Sequence, residues 1–258
     1  MKILRVLALG VAVMLFAGAC GGDDDDNGES DAGAVTQAPA DVHAEHAEFC
    51  DTIVEAETAV VAAASGGDPA AVEGLIAEVE ETAPAELEEQ VETVAATVRH
   101  AMEKQEEGAF DSPEFSNADE AIDQWVLENC GFETIQVSAV EYAFEGVPAT
   151  IPAGKTTFVF NNDGEEIHEM IMVRYKDESL TVDDLIELSD KQARKKIEFL
   201  GAAFGPPGTV DAGTRDFAPG KYALLCFVPV GTTSEKAAEK AEGPPHVARG
   251  MSAEFTVE

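Results

Sequence analysis

The chain has few basic residues: among its 258 residues, 16 are Lys or Arg and 51 are Asp or Glu. Because nucleic-acid binding depends on clustered positive charge, we expect no nucleic-acid partner. The shortage of basic residues is uneven along the chain. Residues 41–130 hold 2 basic and 24 acidic side chains, whereas residues 131–258 hold 12 basic and 21 acidic ones. Together with a change of hydrophobic period near Gly131, this difference predicts two folded units, 41–130 and 131–258.

The sequence also lacks the common motifs of catalysis. It contains no His-Glu-x-x-His zinc motif, no glycine-rich phosphate loop, and no Ser, His and Asp in an order typical of hydrolases. We therefore expect that the protein is not an enzyme.

No apolar run reaches the roughly 20 residues that a membrane-spanning helix requires. The run at residues 6–19 follows Lys2 and Arg5, which predicts an export signal. Its end, Phe16-Ala-Gly-Ala-Cys20, resembles the lipobox of bacterial lipoproteins, although Ala17 stands where Leu is usual. We expect residues 1–20 to be a lipoprotein signal peptide with Cys20 lipidated. Ordinary cleavage nearby, with Cys20 lost or free, is the alternative.

Residues 21–40 contain the acidic run Asp23–Asp26, several glycines and almost no large apolar side chains. Such a segment buries too little surface to fold, and its like charges repel one another, so it predicts an extended, disordered linker. A metal site in the acidic run is a weaker alternative. Linker and signal together predict an extracytoplasmic protein attached to the membrane through a lipid anchor.

Residues 41–130 have the apolar spacing of four helices. The first ends at Gly66-Gly67, and the second begins after Asp68-Pro69. The third begins near Pro84, and a capping-box pattern of Asn117 with Glu120 predicts the start of the fourth. Four helices with short connections favour a small up-and-down bundle.

In such a bundle, Cys50 and Cys130 lie at the same end, so we expect a disulfide between them. A loop of that length would contribute about 4–5 kcal/mol to stability in the chain-entropy model. Pairing of Cys226 with either cysteine is the alternative.

Two histidines near the start of the first helix, His43 and His46, are spaced to share one helical face. With nearby carboxylates they could bind a metal ion. Exposed histidines without a ligand are the interpretation we favour.

From Thr134 the pattern changes to short β-rich runs, which predict strands at 134–144, 156–161, 168–175, 222–228 and 251–257. A helical insertion is predicted at 182–199, after a Thr181 cap. Short strands separated by Gly and Pro favour a sandwich or barrel. The predicted fold class is therefore α+β and multidomain, with a helical bundle followed by a β-sandwich that carries a helical insertion.

Three segments of this β unit resemble the cupredoxins, the family of plastocyanin, azurin and amicyanin. Residues 151–168 resemble their strand, Asn-x-x-Gly loop and first ligand histidine, and residues 217–226 resemble their Pro-Gly-x-Tyr strand ending in the ligand cysteine. Residues 245–251 resemble the second histidine and axial methionine. The resemblance covers about the last half of the chain. It implies a Greek-key sandwich with one type 1 copper ion held by His168, Cys226, His246 and Met251.

A thiolate, two imidazoles and a weak thioether suit both Cu(I) and Cu(II), which is why this donor set favours electron transfer. The resemblance implies that His246, beside Pro244 and Pro245, is a partly exposed edge through which electrons pass. The sequence departs from the family in two ways. Nineteen residues separate Cys226 from His246, including a predicted polar helix at 234–242, and Glu169 stands where Asn is common. Glu169 could bind the metal, join the ligand loops by a hydrogen bond, or face solvent.

The function that the resemblance implies is a lipid-anchored blue copper protein that carries single electrons to or from an unknown partner protein. A copper storage or delivery protein with the same site is one alternative. A metal-free surface interaction module is another, in which the four residues have only structural roles. A copper oxidase or nitrite reductase would need more copper-binding histidines than the five present.

Overall fold

The structure is a computed structural model that describes residues 45–104, 108–234, 237, 241 and 243–258. The predicted signal peptide with Cys20, the linker and His43 lie outside the described residues. So does most of the predicted polar helix at 234–242.

The first part of the described chain consists of four helices, each packed against the next. They are α1 (Ala47–Ala64), α2 (Ala70–Thr82), α3 (Glu88–Lys104) and α4 (Pro113–Asn129), with a 3-10 turn at Ala85–Leu87 before α3. Apolar residues at helical spacing form the core between them. These include Phe49, Ile53, Val79, Val91, Ile122 and Val126.

The start of α4 differs from the prediction. Ser112 is its N-cap, and the Ser112 side chain accepts a hydrogen bond from the backbone N–H of Phe115 at 3.1 Å. Pro113 occupies the first helical position, where its missing N–H costs nothing. The prediction that Asn117 and Glu120 begin the helix was therefore wrong, because the Ser-Pro pair starts it one turn earlier.

A disulfide joins Cys50 in α1 to Cys130 at the end of α4, across a sequence separation of 80 residues. Both cysteines are fully buried, and the predicted pairing is confirmed. Cys226 is a free, buried thiol, so it pairs with neither.

The second part of the chain is a sandwich of two sheets. One sheet has the strand order β2-β1-β4-β7 and the other β3-β9-β8-β5-β6. Parallel pairs join β1 to β4 and β3 to β9. The strands are β1 (Glu133–Val140), β2 (Ala143–Glu145), β3 (Thr150–Ile151), β4 (Gly154–Asn162), β5 (His168–Tyr175), β6 (Ile197–Gly205), β7 (Val210–Phe217), β8 (Gly220–Leu225) and β9 (Ser252–Val257). Aromatic and aliphatic residues between the sheets form the core, among them Val137, Phe158, Phe160, Leu224 and Phe255.

The predicted helical insertion is shorter than expected. It consists of α5 (Val182–Glu187) and α6 (Asp190–Lys196), and the chain then continues as β6. Thr181 caps α5 as predicted, accepting from the backbone of Asp184 while the Asp184 carboxylate accepts from the backbone of Thr181. Strand β7 was missed because Asp and Gly residues make its sequence a poor strand former. Pairing along the whole length of β4 overrides that weak propensity.

The helices pack across the side of the sandwich where the edge strands β6 and β7 lie. Helix α1 contacts both strands and α4 contacts β7. Two ion pairs cross this boundary, Lys155 with Asp51 at 2.9 Å and Arg215 with Glu57 at 2.5 Å. The helices thus cover backbone edges that would otherwise be open to pairing with another chain. Among the described helices, none is long and apolar enough to cross a membrane.

Candidate metal centre

Three predicted ligands meet at one end of the sandwich. His168 is the first residue of β5, Cys226 directly follows β8, and His246 begins a 3-10 turn, His246–Arg249. Their donor atoms all lie within 4.8 Å of one another. The Nδ1 atoms of the two histidines are 3.1 Å apart, and Cys226 Sγ lies 3.4 Å from His246 Nδ1. In the described parts of the chain, no other group of His, Cys, Asp and Glu side chains converges in this way.

The backbone shows how a 19-residue insertion still returns His246 to Cys226. Val247 N–H donates to the carbonyl of Cys226 at 2.7 Å, and His246 N–H donates to the carbonyl of Val228 at 2.9 Å. Val230 N–H then donates to the carbonyl of Pro244 at 3.0 Å. These bonds close the base of the insertion, so its length adds only a slowly growing entropic cost.

Met251, the predicted axial ligand, is held beside the cluster by its backbone. Its N–H donates to the carbonyl of His246 at 3.1 Å, and its carbonyl accepts from Cys226 N–H at 3.3 Å. The Met251 side chain is fully buried in the same apolar cluster as Cys226.

His246 is fully buried, which corrects the expectation of a partly exposed edge. The Tyr142 ring packs on its imidazole with centroids 4.8 Å apart, and the Glu166 carboxylate contacts its Nε2 at 3.2 Å. Glu166 is fixed there by the long insertion itself, since it accepts hydrogen bonds from the backbone N–H groups of Gly231 and Thr232. Two residues of the insertion thus hold in place the carboxylate that lies against His246.

Each ligand histidine is paired with a carboxylate that sequence analysis missed. Glu141 Oε1 lies 3.1 Å from His168 Nε2, just as Glu166 Oε2 lies beside His246 Nε2. A carboxylate only accepts, so the hydrogen-bond pattern assigns a proton to each Nε2. The Nδ1 lone pairs of both rings then point into the cluster, which is the arrangement a metal ion requires. No sequence signal identifies Glu141, which lies 27 residues before its partner.

The electrostatics of the cluster favour neutral ligands. Burial lowers the pKa of His168 and of His246 below the usual histidine value, although the hydrogen bonds that they donate to Glu141 and Glu166 oppose this. Burial also raises the pKa of the Cys226 thiol well above its ordinary range. Without a cation, therefore, the thiol keeps its proton and two lone pairs face each other at 3.1 Å. A metal ion would relieve that repulsion and displace the thiol proton.

Glu169 joins the loops that carry the ligands, which answers the question left open by the sequence. Its carboxylate accepts a hydrogen bond from Phe227 N–H at 2.7 Å, and its own N–H points at Cys226 Sγ at 3.5 Å. Burial raises the pKa of Glu169 to about 7. Its role in the structure is to hold the start of β5 against the residue after Cys226.

The Asn-Asn-Asp-Gly loop before His168 positions both the histidine and its carboxylates. The buried Asn162 donates to the carbonyls of Glu166 at 3.0 Å and Gly205 at 2.8 Å, and accepts from Gly164 N–H at 3.0 Å. A Cβ at Gly164 would lie 2.5 Å from Glu141 Oε1 and 2.6 Å from His168 Nε2. Only glycine leaves room for this carboxylate–histidine contact.

The second candidate metal site has a different environment. His46, at the start of α1, packs edge-on against Trp125 with ring centroids 5.1 Å apart. Within the described residues it belongs to no group of metal-binding side chains.

The chemistry of the buried cluster matches copper. Two imidazoles and one thiolate, with a thioether beside them, are the donors of a type 1 copper centre. Structural zinc sites have four strong ligands, whereas three such donors converge here. The cluster can hold one such copper ion.

Comparison with known proteins gives structural likenesses only, since no protein-family model and no curated protein matches the chain. An auracyanin from the photosynthetic bacterium Roseiflexus castenholzii is 22% identical, over 48% of this chain and 96% of that one, with a TM-score of 0.32. Auracyanin A, a blue copper protein from Chloroflexus aurantiacus, is 17% identical over 48% and 98%, with a TM-score of 0.30. Rusticyanin from Thiobacillus ferrooxidans is 19% identical over 48% and 77%, with a TM-score of 0.27. These are cupredoxins of low identity, and the case for copper rests on the cluster itself.

Proposed function

We propose that the protein is a blue copper protein that carries single electrons, with His168, Cys226, His246 and Met251 holding one copper ion. The observation that carries this proposal is the pair of Nδ1 atoms 3.1 Å apart, beside a thiol at 3.4 Å, with both Nε2 atoms turned to carboxylates. A purely structural core would not bring two imidazole lone pairs together in a buried space. A bound cation is the simplest group that stabilises them.

A copper ion in this donor set supplies reversible one-electron chemistry with little rearrangement of its ligands. The side chains of this chain prepare the site for it. Glu141 and Glu166 fix the tautomer and orientation of the two imidazoles, and Glu169 holds the two ligand loops together. Full burial of His168, Cys226 and His246 excludes water from the centre.

The closed site favours a carrier over a copper storage or delivery protein. Transfer of the ion to another protein would require opening the contacts that Glu166 makes to His246, Gly231 and Thr232. Transfer of an electron needs no such opening.

We place the exchange of electrons at the surface formed by Tyr142 and the partly buried Glu166, which cover the His246 ring. The redox partner would be a protein that docks there.

We further propose that the protein is extracytoplasmic and lipid-anchored. The lipobox-like segment ending in Cys20 and the acidic linker support this. The Cys50–Cys130 disulfide agrees with an oxidising compartment. Mass spectrometry of the mature protein from its membrane fraction tests it: the expected N-terminus is a lipid-modified Cys20. An unmodified N-terminus at another residue would refute the anchor.

The copper proposal is tested by adding Cu(II) to the purified protein and recording its absorption spectrum. We expect one ion per chain and an intense blue thiolate-to-copper band. Cys226→Ser should abolish the band while circular dichroism shows an intact fold, and Cys20→Ser, outside the centre, should leave it unchanged. Colourless, tight binding of Cu(I) alone would favour delivery. Binding of neither ion by a folded protein would refute the proposal.

A further inference from the structure

A cavity of about 440 Å³ lies between the helices and the sandwich, apart from the metal centre. Its walls come from all four helices α1–α4 and from strands β4–β7, and they are mainly apolar, including Val60, Val94, Phe115 and Phe158. Ligand cavities of proteins commonly have this volume and lie between folded units. Nothing in the proposed electron transfer uses this space.

The few polar groups on these walls are mostly acidic. Five carboxylates line the cavity: Glu57, Asp111, Asp119, Asp123 and Asp211. Two guanidinium groups accompany them. Arg215 is already paired with Glu57 at 2.5 Å, and Arg194 is exposed to solvent. Acidic groups therefore outnumber basic ones on these walls, and the single charge of Arg215 is shared among Glu57, Asp119 and Asp123.

Three of these carboxylates have few hydrogen-bond partners among the described residues. Asp119 and Asp123 are one turn apart on α4, a spacing at which like charges repel, and no side-chain donor bonds either within the described residues. Burial, reinforced by neighbouring carboxylates and opposed by Arg215, raises the pKa of both. Oδ1 of Asp111 is buried and has no hydrogen-bond partner in the described parts of the chain. Half-buried carboxylates with few hydrogen-bond partners are costly to ionise, and clusters of perturbed groups in a cavity are typical of binding sites.

The spacing of the carboxylates indicates an organic cation and not a metal ion. Among the described residues, only the His168, Cys226 and His246 group brings three donor atoms close enough for one ion. No three of the described acidic groups of the cavity thus bring donor atoms within 4.8 Å of one another, which favours an organic cation over a metal ion. An ammonium group with an apolar body would match both the charges and the apolar walls.

We propose that this cavity binds a hydrophobic organic amine, with its ammonium group at Asp119 and Asp123 on α4 and its apolar part among the side chains between the helices and the sandwich. The site is independent of the copper ion, so the two proposals succeed or fail separately.

Isothermal titration of the purified protein tests this with three probes that share one apolar body: 4-phenylbutylamine, 4-phenylbutanol and 4-phenylbutyrate. We expect one amine per chain, bound at least about tenfold more tightly than the alcohol, because a charge-assisted hydrogen bond is worth about one power of ten. The carboxylate probe should bind most weakly. Equal binding of amine and alcohol, or binding of neither, would refute the proposal.

The double variant Asp119→Asn/Asp123→Asn locates the site. It should weaken the amine at least about tenfold and leave the alcohol unchanged, so that the two affinities converge. Glu120→Gln is the matched control, because Glu120 is an exposed carboxylate on the same helix. Amine binding that survives the double variant, or that Glu120→Gln weakens equally, would place the cation elsewhere. If the double variant does not fold, the comparison of the three probes on the unaltered protein still decides.

Discussion

Two groups of carboxylates in this molecule have opposite environments. Around the metal centre, Glu141 accepts hydrogen bonds from the backbone N–H groups of Glu165 and Glu166 at 2.7 and 2.8 Å. These bonds outweigh burial and hold the pKa of Glu141 below its usual range. Beside the cavity, Asp119 and Asp123 accept no such bonds, and burial raises their pKa values.

The difference shows what each group of acids contributes. The carboxylates at the histidines are stabilised in the charged form, so they can orient imidazoles permanently at neutral pH. Those on α4 oppose folding whenever they are ionised, since Arg215 compensates their charge only in part. A protein retains such a cost most readily where a ligand removes it.

The helices and the sandwich also differ in what stabilises them. The largest effect that would separate the two comes from the disulfide within the helices. Replacing both Cys50 and Cys130 by Ala should lower the free energy of unfolding of the helices by about 4–5 kcal/mol, because an 80-residue separation is no longer closed in the unfolded chain. Urea unfolding followed by Trp125 fluorescence, which reports on the helices, measures this.

The blue copper band of this variant is the internal control. It should survive at urea concentrations where the helices have unfolded, since the ligands lie on the sandwich. Loss of the band in step with the helices would show that the two regions unfold as one unit.

The pH dependence of stability tests the unpaired acids. The pKa of Asp119 rises to about 7 on folding and that of Asp211 to about 6, above the usual value of 3.8. The folded state therefore binds more protons than the unfolded state between about pH 4 and 7, and these groups make stability fall as pH rises through that window. The loss is on the order of a few kcal/mol, since one pKa unit corresponds to about 1.4 kcal/mol.

Asp119→Asn/Asp123→Asn should remove much of this loss. Compared with the unaltered protein, the variant should unfold at a higher temperature at pH 8 and at nearly the same temperature at pH 4.5. The copper-free histidines act in the opposite direction, because their lowered pKa values cost stability as pH falls. They are identical in both proteins and cancel in the comparison. A variant less stable at pH 8 would show that these carboxylates have partners after all.

Much of the fold was accessible from the sequence because the helices and five strands have clear apolar periods. Strands β6 and β7 were not, for different reasons. The segment before β6 is rich in Lys and Arg and extends a helical pattern, so the end of α6 at Lys196 has no local signal. Strand β7 owes its existence to pairing with β4, a contact between residues 49 to 63 positions apart.

The convergence of His168, Cys226 and His246 was accessible because their residue types and order follow a family pattern. The groups around them were not. Glu141 and Glu166 are ordinary surface-type residues in a chain with 51 acids, and only the fold brings them to the histidines. The burial of His246 was mispredicted for the same reason, since it depends on how the insertion after Cys226 folds over Glu166.

The smallest and most specific effect comes from the carboxylates that contact the two histidines of the metal centre. Glu166→Gln keeps the shape of the side chain but removes the charge that holds the Nε2 proton of His246, so the imidazole becomes a weaker donor. We expect copper affinity to fall about 10–100-fold and the reduction potential to rise, because Cu(II) depends more than Cu(I) on a strong imidazole donor. Competition with a copper chelator and redox titration of the blue band measure the two changes. Glu165→Gln, the neighbouring exposed carboxylate, is the control and should leave both unchanged. Equal affinities in the two variants would mean that Glu166 only fills space, and the contrast with the acids on α4 would then lose its basis.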